Sequence, residues 1–276
     1  MSDPRKHNVR SHSSSKKNGS SRFLQNLSPA KKWTFRFAAA VLFPLGLLVL
    51  VELGLRVANI GYSPDFFLPK RVNGRPVFVG NDKFGWRFFP PELARNPASV
   101  LMSADKPNGT RRIFILGESA ALGDPEPAFG LGRYLQVLLE QHFPGAHFEV
   151  VCTAMTAINS HAILPIAREC ARHQGDIWVL YMGNNEFVGP FGPSTVFGPQ
   201  LPPLSLIRLN LALKQTRLGQ LVARFASKHS DRTRWGGMKM FLDNQVAPCD
   251  TRKEKVYRYF QSNLQDILSA ARGCRS

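Results

Sequence analysis

Ile113-Phe114-Ile115-Leu116-Gly117-Glu118-Ser119 is the stretch on which the fold turns. Four large apolar residues without alternation describe a strand buried on both faces, as in a parallel sheet covered by helices. The run stops at a glycine and presents a serine two residues later. A parallel strand ending this way holds a hydroxyl at the carboxyl edge of its sheet, where open α/β proteins place their sites.

The same pattern repeats downstream. Residues 131–142 have helical spacing, 148–153 predict a second strand, 160–173 a second helix and 177–182 a third strand. Alternation of apolar strands with amphipathic helices predicts an α/β fold, a three-layer arrangement with right-handed crossovers. Residues 59–110 are rich in Pro, Gly and aromatics and predict an irregular lead-in, with Val77-Phe78-Val79 and Trp86-Arg87-Phe88-Phe89 as short strand candidates. Residues 183–203 form a Gly/Pro-rich loop, long enough to be expected to line a site. Helices are predicted over 204–226, with a basic face, and over 253–271. The plain account of that basic face is a solvated surface, the sharper one an anionic partner.

The net charge of +17 over 276 residues suggests nucleic acid until it is located. Residues 1–36 carry nine Lys/Arg against one acid, and residues 207–276 carry fourteen against five. The stretch between them has thirteen of each. The candidate site therefore lies in a neutral region, and no nucleic-acid partner is expected.

Residues 1–32 are rich in Ser, Lys and Arg and are expected to be a disordered basic tail. Residues 37–51 carry no charge, and with Glu52 to Leu55 they make a span of nineteen residues. At about 1.5 Å per residue that span is roughly 28 Å, close to the hydrocarbon thickness of a bilayer. One membrane anchor over 33–58 is the economical reading; a buried helix or a cleaved leader are the alternatives. Lys31, Lys32 and Arg36 precede the span, which predicts a cytoplasmic amino terminus and an exported α/β domain over 111–276. Cys152, Cys170, Cys249 and Cys274 show no metal-ligand spacing.

Three strand ends are expected to meet at one sheet edge. The first delivers Gly117, Glu118 and Ser119, the second is followed by Ala157, Asn159 and Ser160, and the third delivers Gly183, Asn185 and Glu186. Ser119 is suited to attack a carbonyl. Its own N–H, that of Ala157 and the amide of Asn185 are suited to stabilise the oxyanion. Glu118 and Glu186 are expected to orient loops by accepting backbone N–H bonds. The plainer alternatives are a helix cap for Ser119 and a turn residue for Asn185.

Gly117-Glu118-Ser119 resembles the Gly-Asp-Ser block of the SGNH, or GDSL-type, hydrolases, and Gly183-Asn184-Asn185-Glu186 resembles their Gly-x-Asn-Asp block. The stretch from Cys152 to Ala157 is similar to their second block, with alanines where the family has glycines. Residues 52–56 and Phe84-Gly85-Trp86 look like those of membrane-anchored bacterial members. The resemblance implies a flavodoxin-like sheet and hydrolysis or transfer of ester-linked acyl groups without a metal or cofactor. It implies as substrate an acylated small molecule, glycan or lipid.

The family's last block, Asp-x-x-His, supplies the base. No Asp-x-x-His occurs in residues 187–276, where the single histidine is His229. His161 lies nearer the second strand end and is expected to pack or bind substrate. A crossover helix over 253–271 with no following strand predicts a polypeptide lacking its carboxyl-terminal part. As it stands, the chain is expected to be a weak or inactive esterase; the alternative is a non-catalytic envelope-binding module on the same fold.

Overall fold

The computed structural model describes residues 28–227 and 237–273. The tail over residues 1–27, His229 and Cys274 lie outside the described residues. The chain divides at Gly54 into two compact units.

The described part of the first unit is one helix, α1 (Pro29–Val57), whose last three residues fall in the second unit. It is long and apolar enough to cross a membrane, and its apolar window is unburied, unlike that of a core helix. Pro44 lies inside it, as membrane helices tolerate.

The second unit opens with a small antiparallel sheet. Strands β1 (Phe67–Val72) and β2 (Arg75–Gly80) form a hairpin, and β3 (Leu101–Ser103) pairs with β2. The two-residue turn is Asn73-Gly74, both at positive φ (50° and 77°), the chemistry that matches strand twist in tight hairpins. The lead-in is thus more regular than its composition suggests. Trp86 to Phe89 do not form a strand. Phe84–Arg87 is a 3-10 turn, and a side chain at Gly85 would meet the carbonyl of Arg95 at 2.7 Å.

The second sheet is parallel. Strand β4 (Thr110–Gly117) lies between β5 (His147–Cys152) and β6 (Ile177–Tyr181), with Ile113 beside Val150 on one side and Ile177 on the other. Ile113 to Leu116 are all buried, as an uninterrupted apolar run at a sheet centre requires. Each such side chain contributes about 1.5–3 kcal/mol on burial. A single turn, α2 (Ser119–Leu122), follows β4, and α3 (Leu131–His142) packs on β5. Helix α4 (Ser160–Cys170) packs on β4 and is buried along most of its length. Helices α5 (Leu204–Leu213) and α6 (Arg217–Ser227) replace the single helix expected over 204–226. The break falls at Thr216, whose hydroxyl accepts the N–H of Gly219 at 3.0 Å and so starts a new helix. The last helix, α7 (Arg252–Gly273), packs against α4.

The two sheet edges differ. At β5 the side-chain amide of Gln136 substitutes for a neighbouring strand, accepting the N–H of Val150 at 2.9 Å and donating to the carbonyl of Phe148 at 3.2 Å. Among the described residues no strand pairs with the outer side of β6. Arg112 ties the two sheets together from a buried position. Its guanidinium donates to Glu149 at 2.6 Å and, at 2.7 Å each, to the carbonyls of His173 and Ser103. Phe67 and Phe114 meet with ring centroids 6.3 Å apart, so the antiparallel sheet shares its apolar cluster with the parallel one.

Candidate functional site

The carboxyl ends of β4, β5 and β6 carry the residues singled out above. Gly117 closes β4 where no side chain fits, since a Cβ there would overlap the carbonyl oxygen of Tyr181 and the Cβ of Ala121. The close approach holds β4 against the end of β6. Glu118 follows with extended backbone, and Ser119 opens α2, partly exposed. The carbonyl of Ser119 accepts the N–H groups of Gly123 and Asp124, which folds the next segment back tightly.

Glu118 is fully buried, and its carboxylate accepts the backbone N–H groups of Gly183 and Asn185, both at 2.9 Å. The loop after β6 is thereby clamped to the residue preceding Ser119. Burial pushes the Glu118 carboxyl up to about 7, against the opposing pull of those N–H bonds, and the neighbouring Glu186 adds to the rise. Gly183 has a φ of 120°, in the region that favours glycine, which makes the sharp exit from β6 accessible.

The loop after β5 joins the same cluster. The N–H of Met155 donates to the carbonyl of Gly117 at 3.3 Å, and the side-chain amide of Asn185 donates to the carbonyl of Ile158 at 3.0 Å. Between them Ala157 has a φ of 63°. An alanine in this left-handed conformation costs about 1–2 kcal/mol, so the tight turn that a glycine would make freely is kept without one. The hydroxyl of Thr156 donates to Asp124 at 3.0 Å and links this loop to the segment after α2.

Three donors at this edge are not fully used within the protein. Among the described residues neither the N–H of Ser119 nor that of Ala157 is donated to another protein group. Asn185 uses one of its amide hydrogens on Ile158 and retains the other.

A second buried network lies behind these loops. Glu186 accepts the N–H and the hydroxyl of Ser160 at 2.8 and 2.7 Å, and burial raises its carboxyl above the usual range. The amide of Asn263 on α7 meets the Ser160 hydroxyl at 2.9 Å and Nδ1 of His161 at 3.0 Å. Burial, with a smaller contribution from Arg208, pushes the His161 imidazole down to about 4. It is neutral at pH 7 and enclosed between Phe191 and Tyr259. Asn263 was not legible from motif spacing. Its signal is its place on the buried stripe of α7 with Val256 and Ile267, a polar residue where periodicity asks for an apolar one.

The remaining described histidines lie away from this edge. His142 ends the helix leading into β5, His147 begins β5, and His173 precedes β6, all at the amino ends of their strands. The loop over 183–203 folds inward, with Gly189 to Thr195 buried and the Asn159 amide donating to the carbonyl of Pro190 at 2.9 Å. An open groove of about 800 Å³ runs along β5, lined among others by Leu122, Asp124, Gln136, Cys152 and Thr156. Among the described residues no three His, Cys, Asp or Glu side chains are grouped to hold a metal ion. No family model, curated protein or solved structure matches this chain.

Proposed function

We propose that residues 111–273 form an acyl-transfer site of the SGNH hydrolase type on a flavodoxin-like sheet, held at a membrane by α1 with the amino terminus in the cytoplasm. Ser119 is the nucleophile. The N–H groups of Ser119 and Ala157 and the amide of Asn185 receive the oxyanion that forms when the hydroxyl adds to an ester carbonyl. Gly117, Glu118, Gly183 and Glu186 hold the loops in register. The observation that carries this reading is the Glu118 clamp, because it binds the serine-bearing turn to the asparagine-bearing loop through two hydrogen bonds to one buried carboxyl group. The groove along β5 reaches Asp124 and Thr156, and none of Ser119, Ala157 and Asn185 lines it.

The nucleophile lacks a base among the described residues, since His161 is committed to Asn263 and the other described histidines lie at the amino edge. Removing triad members from serine hydrolases leaves about 10³–10⁴-fold catalysis over water, from the oxyanion hole and binding. The chain is therefore expected to form an acyl-enzyme slowly. A fluorophosphonate tests this: prolonged incubation is expected to place one adduct on Ser119, absent from Ser119→Ala, and equal labelling of the variant would refute it. The lack of a base among the described residues also favours a second reading, an envelope-binding module that retains the groove without turnover. That reading expects ester binding with no adduct on Ser119.

A further inference from the structure

The outer edge of β5 is closed by a side chain at one end and left open beside it. Strand register fixes which backbone groups face outward. Ile115 lies opposite Cys152, and its carbonyl accepts the N–H of Thr153 at 2.8 Å. In a parallel ladder the backbone groups of Val151 therefore turn toward β4, and those of Val150 and Cys152 turn away from it. The Gln136 amide takes the first outward pair, accepting the N–H of Val150 and donating to the carbonyl of Phe148, while Glu140 accepts its other amide hydrogen. These are the two bonds that one residue of a neighbouring strand would make. The next outward pair is the carbonyl of Val150 and the N–H of Cys152, and among the described residues it meets no protein group.

Both residues of the open pair line the groove of about 800 Å³. Helix α3 packs on β5 to one side of it. Residues 94–101 form the other side, held by the bridge between Pro97 and Met155 and by the Ser103 N–H, which donates to Glu149 at 2.8 Å. Asn96, Ser99 and Arg133 also line the groove, and among the described residues their side chains make no hydrogen bond or ion pair. The groove thus combines an unused piece of strand edge with polar side chains that have no partner.

We propose that this groove binds an extended peptide, one residue of which adds to β5 through the carbonyl of Val150 and the N–H of Cys152. A residue in an extended chain presents its own N–H and C=O to the same side, which is the arrangement this pair requires. The acetamido group of a sugar carries its N–H and C=O on opposite sides of one trans amide and cannot make both bonds. Gln136 bounds the contact at one end by standing where the next peptide residue would lie. Asn96, Ser99 and Arg133 are placed to receive the polar groups of the rest of the peptide. The site is independent of the role of Ser119, since peptide binding here neither requires nor excludes acyl transfer.

The test uses the full chain in detergent micelles, isotope-labelled only at its cysteine amide nitrogens, with acetyl-tetraalanine amide as the probe. Of the four cysteines, Cys170 and Cys249 do not line the groove and serve as internal references, and a Cys152→Ser variant identifies the signal of interest. Titration is expected to move the Cys152 amide signal downfield, saturably, and to leave those of Cys170 and Cys249 in place. The same peptide methylated at its amide nitrogens is expected to bind on the order of tenfold more weakly, for the loss of one backbone bond. N-acetylglucosamine is expected to leave the signal in place. Ser99→Trp, altered at an exposed position, is expected to abolish the shift and keep its far-ultraviolet circular dichroism. No shift up to the solubility limit of the peptide, or an equal response of all the cysteines, would overturn the site. An equal shift with the methylated peptide or with the sugar would overturn an extended peptide as its ligand. A full shift in Ser99→Trp would overturn the groove as its place. The unaltered chain decides all but the last of these without depending on how a variant folds.

Discussion

The buried carboxylate of Glu118 accepts the backbone N–H of Asn185 at 2.9 Å, so the residue beside the candidate nucleophile fixes the loop bearing the candidate oxyanion donor. Glu118→Ala strands two N–H groups, those of Gly183 and Asn185. Both bonds are part-buried, so their loss together costs about 1–3 kcal/mol. For a unit of this size, at about 2–4 °C per kcal/mol, that corresponds to a fall in Tm of about 2–12 °C. Thermal unfolding followed by circular dichroism checks it, and an unchanged Tm would show that the clamp contributes nothing.

The pH dependence of stability follows from the same residue. Glu118 titrates near 7 when folded and near 4.5 when unfolded, so between these values the folded state holds the proton more tightly. Its contribution is present below about pH 4.5 and is lost as pH rises through 7. Glu169, also raised by burial to about 7, acts in the same direction. His161, lowered to about 4, acts in the opposite direction, stabilising increasingly between about 4 and 6.5. The informative quantity is the difference between proteins: Glu118→Gln is expected to remove part of the decline in Tm between pH 5 and 8. Parallel Tm profiles for the two proteins would contradict it.

Ala157→Gly is expected to stabilise. The left-handed conformation at φ 63° costs alanine about 1–2 kcal/mol, and glycine's greater freedom when unfolded returns about 0.4–1 kcal/mol of the gain. A net increase on the order of 0.5–1 kcal/mol should appear in urea denaturation as a higher midpoint at constant slope. A lower midpoint would mean that the turn is held by more than backbone preference.

Asn263→Leu tests the network behind the site. The residue is 1% exposed, and replacing its amide removes the partner of the Ser160 hydroxyl and of His161. A loss of about 2–4 kcal/mol is expected, for two broken bonds and a branched side chain in a polar niche. Amide exchange should increase in α4 and α7, which pack together. Exchange increased elsewhere but not there would contradict the assignment of Asn263 as their link.

How much of this was legible in the sequence depended on the kind of signal. The run from Ile113 to Leu116 announced a central parallel strand, because only a strand buried on both faces can be apolar throughout. Val77 to Val79, a strand candidate by sequence, lies in β2, but its partner β1 was hidden because Pro69, Lys70 and Arg71 blur period-two alternation. Asn73-Gly74, a strong hairpin signal, was the cue available there. The break between α5 and α6 was likewise written in Thr216, a capping residue inside an otherwise helical stretch. Glu118 and Glu186 each accept backbone N–H groups. That Glu186 would take Ser160, and that Asn263 would reach it from a helix about a hundred residues away, depends on tertiary packing that local pattern does not encode.

On the proposed reading Ser119 is a nucleophile with its oxyanion donors beside it and with no base among the described residues. Imidazole supplied in solution can act as the base that the described residues do not provide, so the most direct measurement is turnover of an activated ester by the full chain and by Ser119→Ala, each with and without added imidazole. The account predicts that imidazole accelerates the unaltered protein well beyond its own background reaction and gives Ser119→Ala the background alone. Equal acceleration of the two proteins would contradict it.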